Sequence, residues 1–219
     1  DASIGPDGNL YLLENNRAID KVDLTVNTVT RWTRLPSGKV VKFGDFGNNG
    51  YFYAGGTRTD LLIIPFDLSS TPVSAGFYAT DEIFAIRVYN AYVYVVSRLY
   101  GSQDPVKIWR HPIEADGSVG SQELVLDWST TGEFASRTIK SITISANGVM
   151  YIATDSPDPI LIIDPKTMTV DFFYKNIVPA YCKHFCWGNE TYLYMISGDT
   201  NFEQEWTVYR IDMGTTGAP

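Results

Sequence analysis

Short runs of alternating apolar and polar residues fill this chain, each closed by Asn, Gly, Asp or Pro. The clearest stretch is Ser141–Tyr174. Ile142 and Ile144 alternate with hydroxyl residues, Asn147-Gly148 turns the chain, and Val149–Thr154 follows as a second run. Ile160–Ile163 is a third, and Asp164-Pro165-Lys166 leads into a fourth at Thr169–Tyr174. A period of two between turn signals predicts an antiparallel meander of four strands.

The same unit recurs along the chain. An Asn-containing turn before an aromatic-rich strand anchors each copy at Tyr11, Tyr53, Tyr94, Tyr151 and Tyr194, separated by 42, 41, 57 and 43 residues. The long step coincides with extra residues at Leu99–Asp104 and Glu114–Gln122. A second anchor, an apolar strand running into Asp or Pro, follows each time at Ile19–Asp23, Ile63–Asp67, Ile108–Pro112, Ile162–Pro165 and Val208–Asp212. A period near 40–45 residues is the mark of propeller blades. The prediction is an all-β, five-bladed propeller with blades at about 1–36, 37–80, 81–130, 131–178 and 179–219. The last blade reads as incomplete. Thr28–Thr33, Val73–Tyr78, Leu124–Trp128 and Thr169–Tyr174 supply outer strands to the other four, but Gly and Thr follow Met213. The missing strand is expected from a continuation past Pro219 or from a neighbouring subunit, because a bare edge invites pairing with another chain.

Composition narrows the partners. Apolar residues make up 44% and charged residues only 19%, with 14 tyrosines, a mix suited to strands. A net charge of −8 argues against a nucleic-acid backbone as partner, and no apolar run is long enough for membrane insertion as a helix. A start at Asp1 suggests a processed or excised piece, and the expected setting of the module is extracellular, cell-surface or periplasmic. Cys182 and Cys186 read equally well as two thiols or as a local disulfide across a turn. Asn189-Glu190-Thr191 matches a glycosylation acceptor.

Two segments resemble a known group. Ile108-Trp109-Arg110-His111-Pro112-Ile113-Glu114-Ala115-Asp116-Gly117-Ser118-Val119-Gly120 resembles the hairpin of gluconolactonase-like propellers. Ser145-Ala146-Asn147-Gly148-Val149-Met150-Tyr151-Ile152-Ala153 resembles the inner strands of NHL-type and gluconolactonase-type blades. The resemblance implies a propeller, and for gluconolactonases a central divalent metal held by acidic and Asn side chains. That family has six blades against the five counted here, and no residue of this chain is matched to its metal ligands.

Candidate chemistry gathers at the loop between the second and third strands of each blade. Counted from the tyrosines, that loop holds Arg17, Arg58, Arg98, Asp155 and Asp199, with Glu203 extending the acidic side and Trp206 lying beside the acidic stretch. Arginine suits a carboxylate or phosphate, grouped carboxylates suit Ca²⁺ or a cationic ligand, and a tryptophan beside acids suits a sugar. Hydrated loops also carry such side chains without any ligand. Lys42, Asp45, Glu82, Arg87, Lys140 and His184 fall on inner strands, where Asp45 and Glu82 could form an acid–base pair. The expected role is a binding or scaffold module for a protein or glycan ligand, with self-assembly through the last blade's edge. A lectin, or a metal-dependent lactonase or glycosidase-like hydrolase, is the alternative.

Overall fold

A computed structural model describes residues 1–13, 17–164, 166–177, 181–188, 190–198 and 207–218. The first blade comprises β1 (Ala2–Ile4), β2 (Leu10–Leu12), β3 (Ala18–Asp23) and β4 (Thr28–Arg34). In the second are β5 (Phe43–Phe46), β6 (Tyr51–Gly56), β7 (Thr59–Pro65) and β8 (Val73–Ser74). The third holds β9 (Asp81–Tyr89), β10 (Tyr92–Leu99), β11 (Lys107–Pro112) and β12 (Glu123–Asp127). β13 (Ile139–Ile144), β14 (Met150–Thr154), β15 (Ile160–Ile163) and β16 (Val170–Phe172) form the fourth. The fifth has β17 (Cys182–Trp187), β18 (Tyr192–Ser197) and β19 (Thr207–Asp212). Neighbours in sequence pair within each sheet, so every blade is a meander. Helix is confined, among the described residues, to two 3-10 turns at Trp128–Thr130 and Gly132–Phe134. The protein is an all-β, five-bladed propeller. Its last blade has three strands among the described residues, where the others have four.

Turn chemistry explains the strand boundaries. Gly50 and Gly148 sit at φ +80° and +84°, a conformation that side chains disfavour, so the Asn-Gly pairs close the hairpins leading into β6 and β14. All five tyrosine anchors lie on the second strand of their blade. The expected outer strand at Val73–Tyr78 shortens to two residues, because Gly76 and Tyr78 both take positive φ.

The strands gather into two compact units, Asp1–Val125 and Leu126–Pro219. In the first, Tyr11 meets Trp32 and Phe46 at 4.9 Å between ring centres, and Phe46 meets Phe52 at 4.5 Å. A second cluster joins Tyr53, Leu61 and Ile63 to Ile83, Ile86, Val93 and Val95. In the second unit Tyr151, Ala153 and Ile160 pack against Phe185, Leu193 and Met195. Tyr11, Tyr53 and Tyr151 each point into the next blade of their own unit and are buried. Tyr94 and Tyr194 belong to the last blade of a unit and are only half-buried.

β17 decides the state of the two cysteines. Both lie on this strand, Cys182 opposite Ser197 and Cys186 opposite Tyr194, and an extended chain holds residues four apart at about 13 Å. Both are free thiols. Burial pushes the Cys182 thiol up, which keeps it protonated.

The hairpin tryptophan and histidine are packing residues. Trp109 lies against the core shared by the second and third blades. His111 is fully buried, with Nδ1 3.0 Å from the Gly120 carbonyl and Nε2 2.7 Å from the Tyr78 hydroxyl. The carbonyl can only accept, so the proton sits on Nδ1, and Tyr78 donates to Nε2. Burial lowers the His111 pKa from its ordinary 6.5. The folded state therefore resists a proton that the unfolded chain takes up, and stability is lost as pH falls below 6.5 through the depressed value. The urea midpoint of wild type is expected to drop in that window, and that of His111→Gln to drop less. Equal drops would clear His111 of the effect.

Candidate functional site

The loop-face arginines of the first unit lie where the links between blades enter. Arg17 precedes β3 and accepts Leu35 N–H on its carbonyl at 2.9 Å, next to the end of β4. Arg58 forms the tight β6–β7 turn at φ +51° and donates its N–H to the Asp81 carbonyl at 2.7 Å. Thr57 bridges Glu82 beside it. The second blade's turn is thus fastened to the start of the third blade's inner strand.

Arg98 differs from its expected place. β10 runs on to Leu99 past an irregularity at Val96/Ser97, so Arg98 is a strand residue opposite Glu82 and not part of a loop. Its guanidinium lies 3.7 Å from the Glu82 carboxylate and 5.1 Å from the Phe84 ring. The extra length expected at Leu99–Asp104 begins one residue after it, and there the structure exposes a pair the sequence reading passed over. Leu99 is 55% exposed and Tyr100 is 51% exposed. The Arg58 guanidinium sits 5.7 Å over the Tyr100 ring, and Tyr100 N–H donates to the Thr80 carbonyl at 3.0 Å. An apolar–aromatic pair in an otherwise polar loop was the signal available for it.

The inner-strand charges have partners of their own. Lys42 Nζ donates to the Thr57 hydroxyl at 2.8 Å, and Lys39 pairs with Asp60 at 2.8 Å. Burial works against ionising Asp60, but Lys39 and Ser74 outweigh it and hold the carboxyl below its ordinary range. Asp45 is enclosed between three inner strands. Its carboxylate accepts from Ser3 Oγ at 2.9 Å, Val88 N–H at 2.9 Å and Phe46 N–H at 3.1 Å. Arg87 pairs nearby with Asp1 at 3.1 Å. Burial raises the Asp45 pKa, with Arg87 and the three donors pulling the other way.

This placement separates the expected acid–base pair. Asp45 is bonded to Val88, while Glu82 lies six residues back along β9, about 20 Å at roughly 3.3 Å per residue. Glycosidase carboxylates need about 5–9.5 Å. The sequence put the two acids on neighbouring blades but not at opposite ends of one strand.

In the second unit Asp155 accepts the Thr138 N–H at 3.0 Å and pairs with Lys140 at 3.2 Å. Burial opposes its ionisation, and Thr138 and Lys140 overcome that to keep the carboxyl low. Lys140 stands on the inner strand, so this pair mirrors Glu82–Arg98 with the signs exchanged. Asp199, Glu203 and Trp206 lie outside the described residues, as does Asn189. No group of three or more His, Cys, Asp or Glu gathers as a metal site among the described residues.

These blades have solved counterparts. A structure described as a gluconolactonase matches 100% of this chain and 75% of its own, with a TM-score of 0.71 at 11% identity. The fold is shared. The β-propeller domain of Myceliophteria thermophila Cps50 (Swd1) matches 93% of this chain and 68% of its own, with a TM-score of 0.55 at 10% identity. At such identities the likeness is one of architecture, and propellers host many unrelated functions. No family model matches the sequence, and neither does any curated protein. The resemblance of the Ile108–Gly120 and Ser145–Ala153 segments to gluconolactonase-like blades therefore holds at the level of the fold.

Proposed function

We propose that this propeller is a binding module that takes a protein segment on the loop face of its second and third blades. The observation that carries the reading is the exposed triplet Arg58, Leu99 and Tyr100 on backbone fastened by hydrogen bonds to Asp81 and Thr80. Tyrosine and arginine are the residue types that anchor protein interfaces, and a pre-positioned backbone lowers the entropy of docking. Arg58 offers a planar fork to a carboxylate, and Leu99 and Tyr100 offer apolar area beside it. The complementary segment is an acidic side chain next to an apolar one. Arg98 acts in this reading as a support, since it is spent on an ion pair within its own blade.

Selection from a random peptide library on the immobilised chain tests the reading. Enriched peptides are expected to carry Asp or Glu beside an apolar residue. Arg58→Ala and Tyr100→Ala are each expected to weaken them by roughly tenfold or more, the loss of one interface anchor. Both side chains are exposed, so stability should be unchanged. Enrichment indifferent to both variants would overturn the site. Binding on a glycan array with no peptide enrichment would favour the lectin reading instead.

A further inference from the structure

The outer edge of the fifth blade makes a second, independent surface. β19 is the third strand of its sheet, and no fourth strand lies beyond it among the described residues. It pairs with β18 over six residues without a bulge, from Thr207 opposite Ser197 to Asp212 opposite Tyr192. The strand carries no proline, lysine or irregularity, and its two edge charges, Arg210 and Asp212, are of opposite sign and so can be matched by a partner strand. Val208 is 63% exposed and stands opposite Ile196, itself 39% exposed.

The tail that follows does not cover this edge. Gly214 takes φ +64° and turns the chain away, and Gly217 bridges Ser145 of the fourth blade. Ala146 N–H donates to the Thr216 carbonyl and Ala218 N–H to the Ile144 carbonyl, both at 2.9 Å. Residues 216–218 are therefore committed to the end of β13.

We infer that β19 is a self-assembly edge, pairing antiparallel with β19 of a second copy about a two-fold axis at Ile211. The charge pattern selects the occupant and the register. Val208, Arg210 and Asp212 are exposed on one face, while Tyr209, Ile211 and Met213 lie against the core of the fourth and fifth blades. With Ile211 on the axis, Arg210 faces Asp212 of the second copy and Asp212 faces its Arg210, two reciprocal ion pairs. On the other face Ile211 meets Ile211, and Tyr209 meets Met213. A shift of the axis to Arg210 would set like charges opposite each other, which antiparallel pairs disfavour. Directly opposed residues share a face, so polar meets polar and apolar meets apolar in the selected register.

Sedimentation velocity on residues 1–219 from ~1 to ~500 μM, a range spanning weak to moderate self-association, reads the dimer directly. Arg210→Asp and Asp212→Arg are each expected to raise the dissociation constant by roughly tenfold or more, because each sets like charges across the axis twice. The double variant Arg210→Asp/Asp212→Arg restores opposite charges and is expected to recover the dimer. Amide exchange at 208–212 in wild type should slow as concentration rises, a readout that needs no variant. A chain that stays monomeric throughout, a dimer indifferent to both single changes, or a double variant that fails to recover would each overturn the inference. So would an edge found filled by another segment or by a different protein.

Discussion

Tyr53→Ala is expected to lower the unfolding free energy by about 3–5 kcal/mol, the range for removing a buried aromatic ring. Tyr53 is fully buried in the core shared by the second and third blades. Its hydroxyl donates to the Gly117 carbonyl at 3.0 Å and accepts from Asn49 Nδ2 at 2.8 Å. The first bond crosses from one blade to the hairpin of the next, so the ring and its hydroxyl fasten two blades at once. Tyr53→Phe keeps the ring and loses only the bonds, at a cost of about 1–2 kcal/mol. Burial pushes the Tyr53 pKa up to about 12, so the hydroxyl remains a donor throughout the neutral range. Chemical denaturation of the three proteins tests the order. Equal stabilities for Tyr53→Ala and Tyr53→Phe would mean that the ring contributes nothing beyond its hydroxyl.

Asp45→Ala is the second large effect, about 2–4 kcal/mol, because it strands three donors in a half-buried site between inner strands. Ser3 Oγ and the N–H groups of Val88 and Phe46 lose their acceptor together, and they sit on three different inner strands. Asp45→Asn keeps the shape and one acceptor oxygen, so it should cost less. The sign of the pH dependence separates charge from shape. Burial raises the Asp45 pKa above 3.8, so the folded state holds this proton more tightly than the unfolded chain does. The resulting stability is present below 3.8 and is lost as pH rises through the elevated value. The gap between wild type and Asp45→Asn is therefore expected to narrow with rising pH over that window, measured by urea midpoints. A gap that widens would show that ionised Asp45 is the favoured form.

The repeat and the loop face were legible at different depths. Spacing of Tyr11, Tyr53, Tyr94, Tyr151 and Tyr194 was enough to place five second strands, because alternation and turn residues are local signals. Offsets from those tyrosines also brought Arg17 and Arg58 to the face where the links enter. The same counting misplaced Arg98, since nothing in Ser97–Leu99 announces that β10 continues for two more residues. Leu99 and Tyr100 were readable as residues but not as a surface. Their exposure follows from how the start of β9 holds Arg58 and Tyr100, through contacts distant in sequence.

By itself the sequence determined the blade count and the strand order, both of which rest on periods of two and near forty along one chain. Only the tertiary structure decided which charges are spent on one another. Glu82 met Arg98, Lys140 met Asp155, and Asp45 met Ser3 and Val88 on neighbouring strands. Registers between strands set those meetings, and a shift of one residue sends a side chain to the opposite face of its sheet. The direction of the tail after Gly214 was of the same kind. It depended on hydrogen bonds to residues 144–146, some seventy positions away, which draw residues 216–218 to the fourth blade instead of to β19.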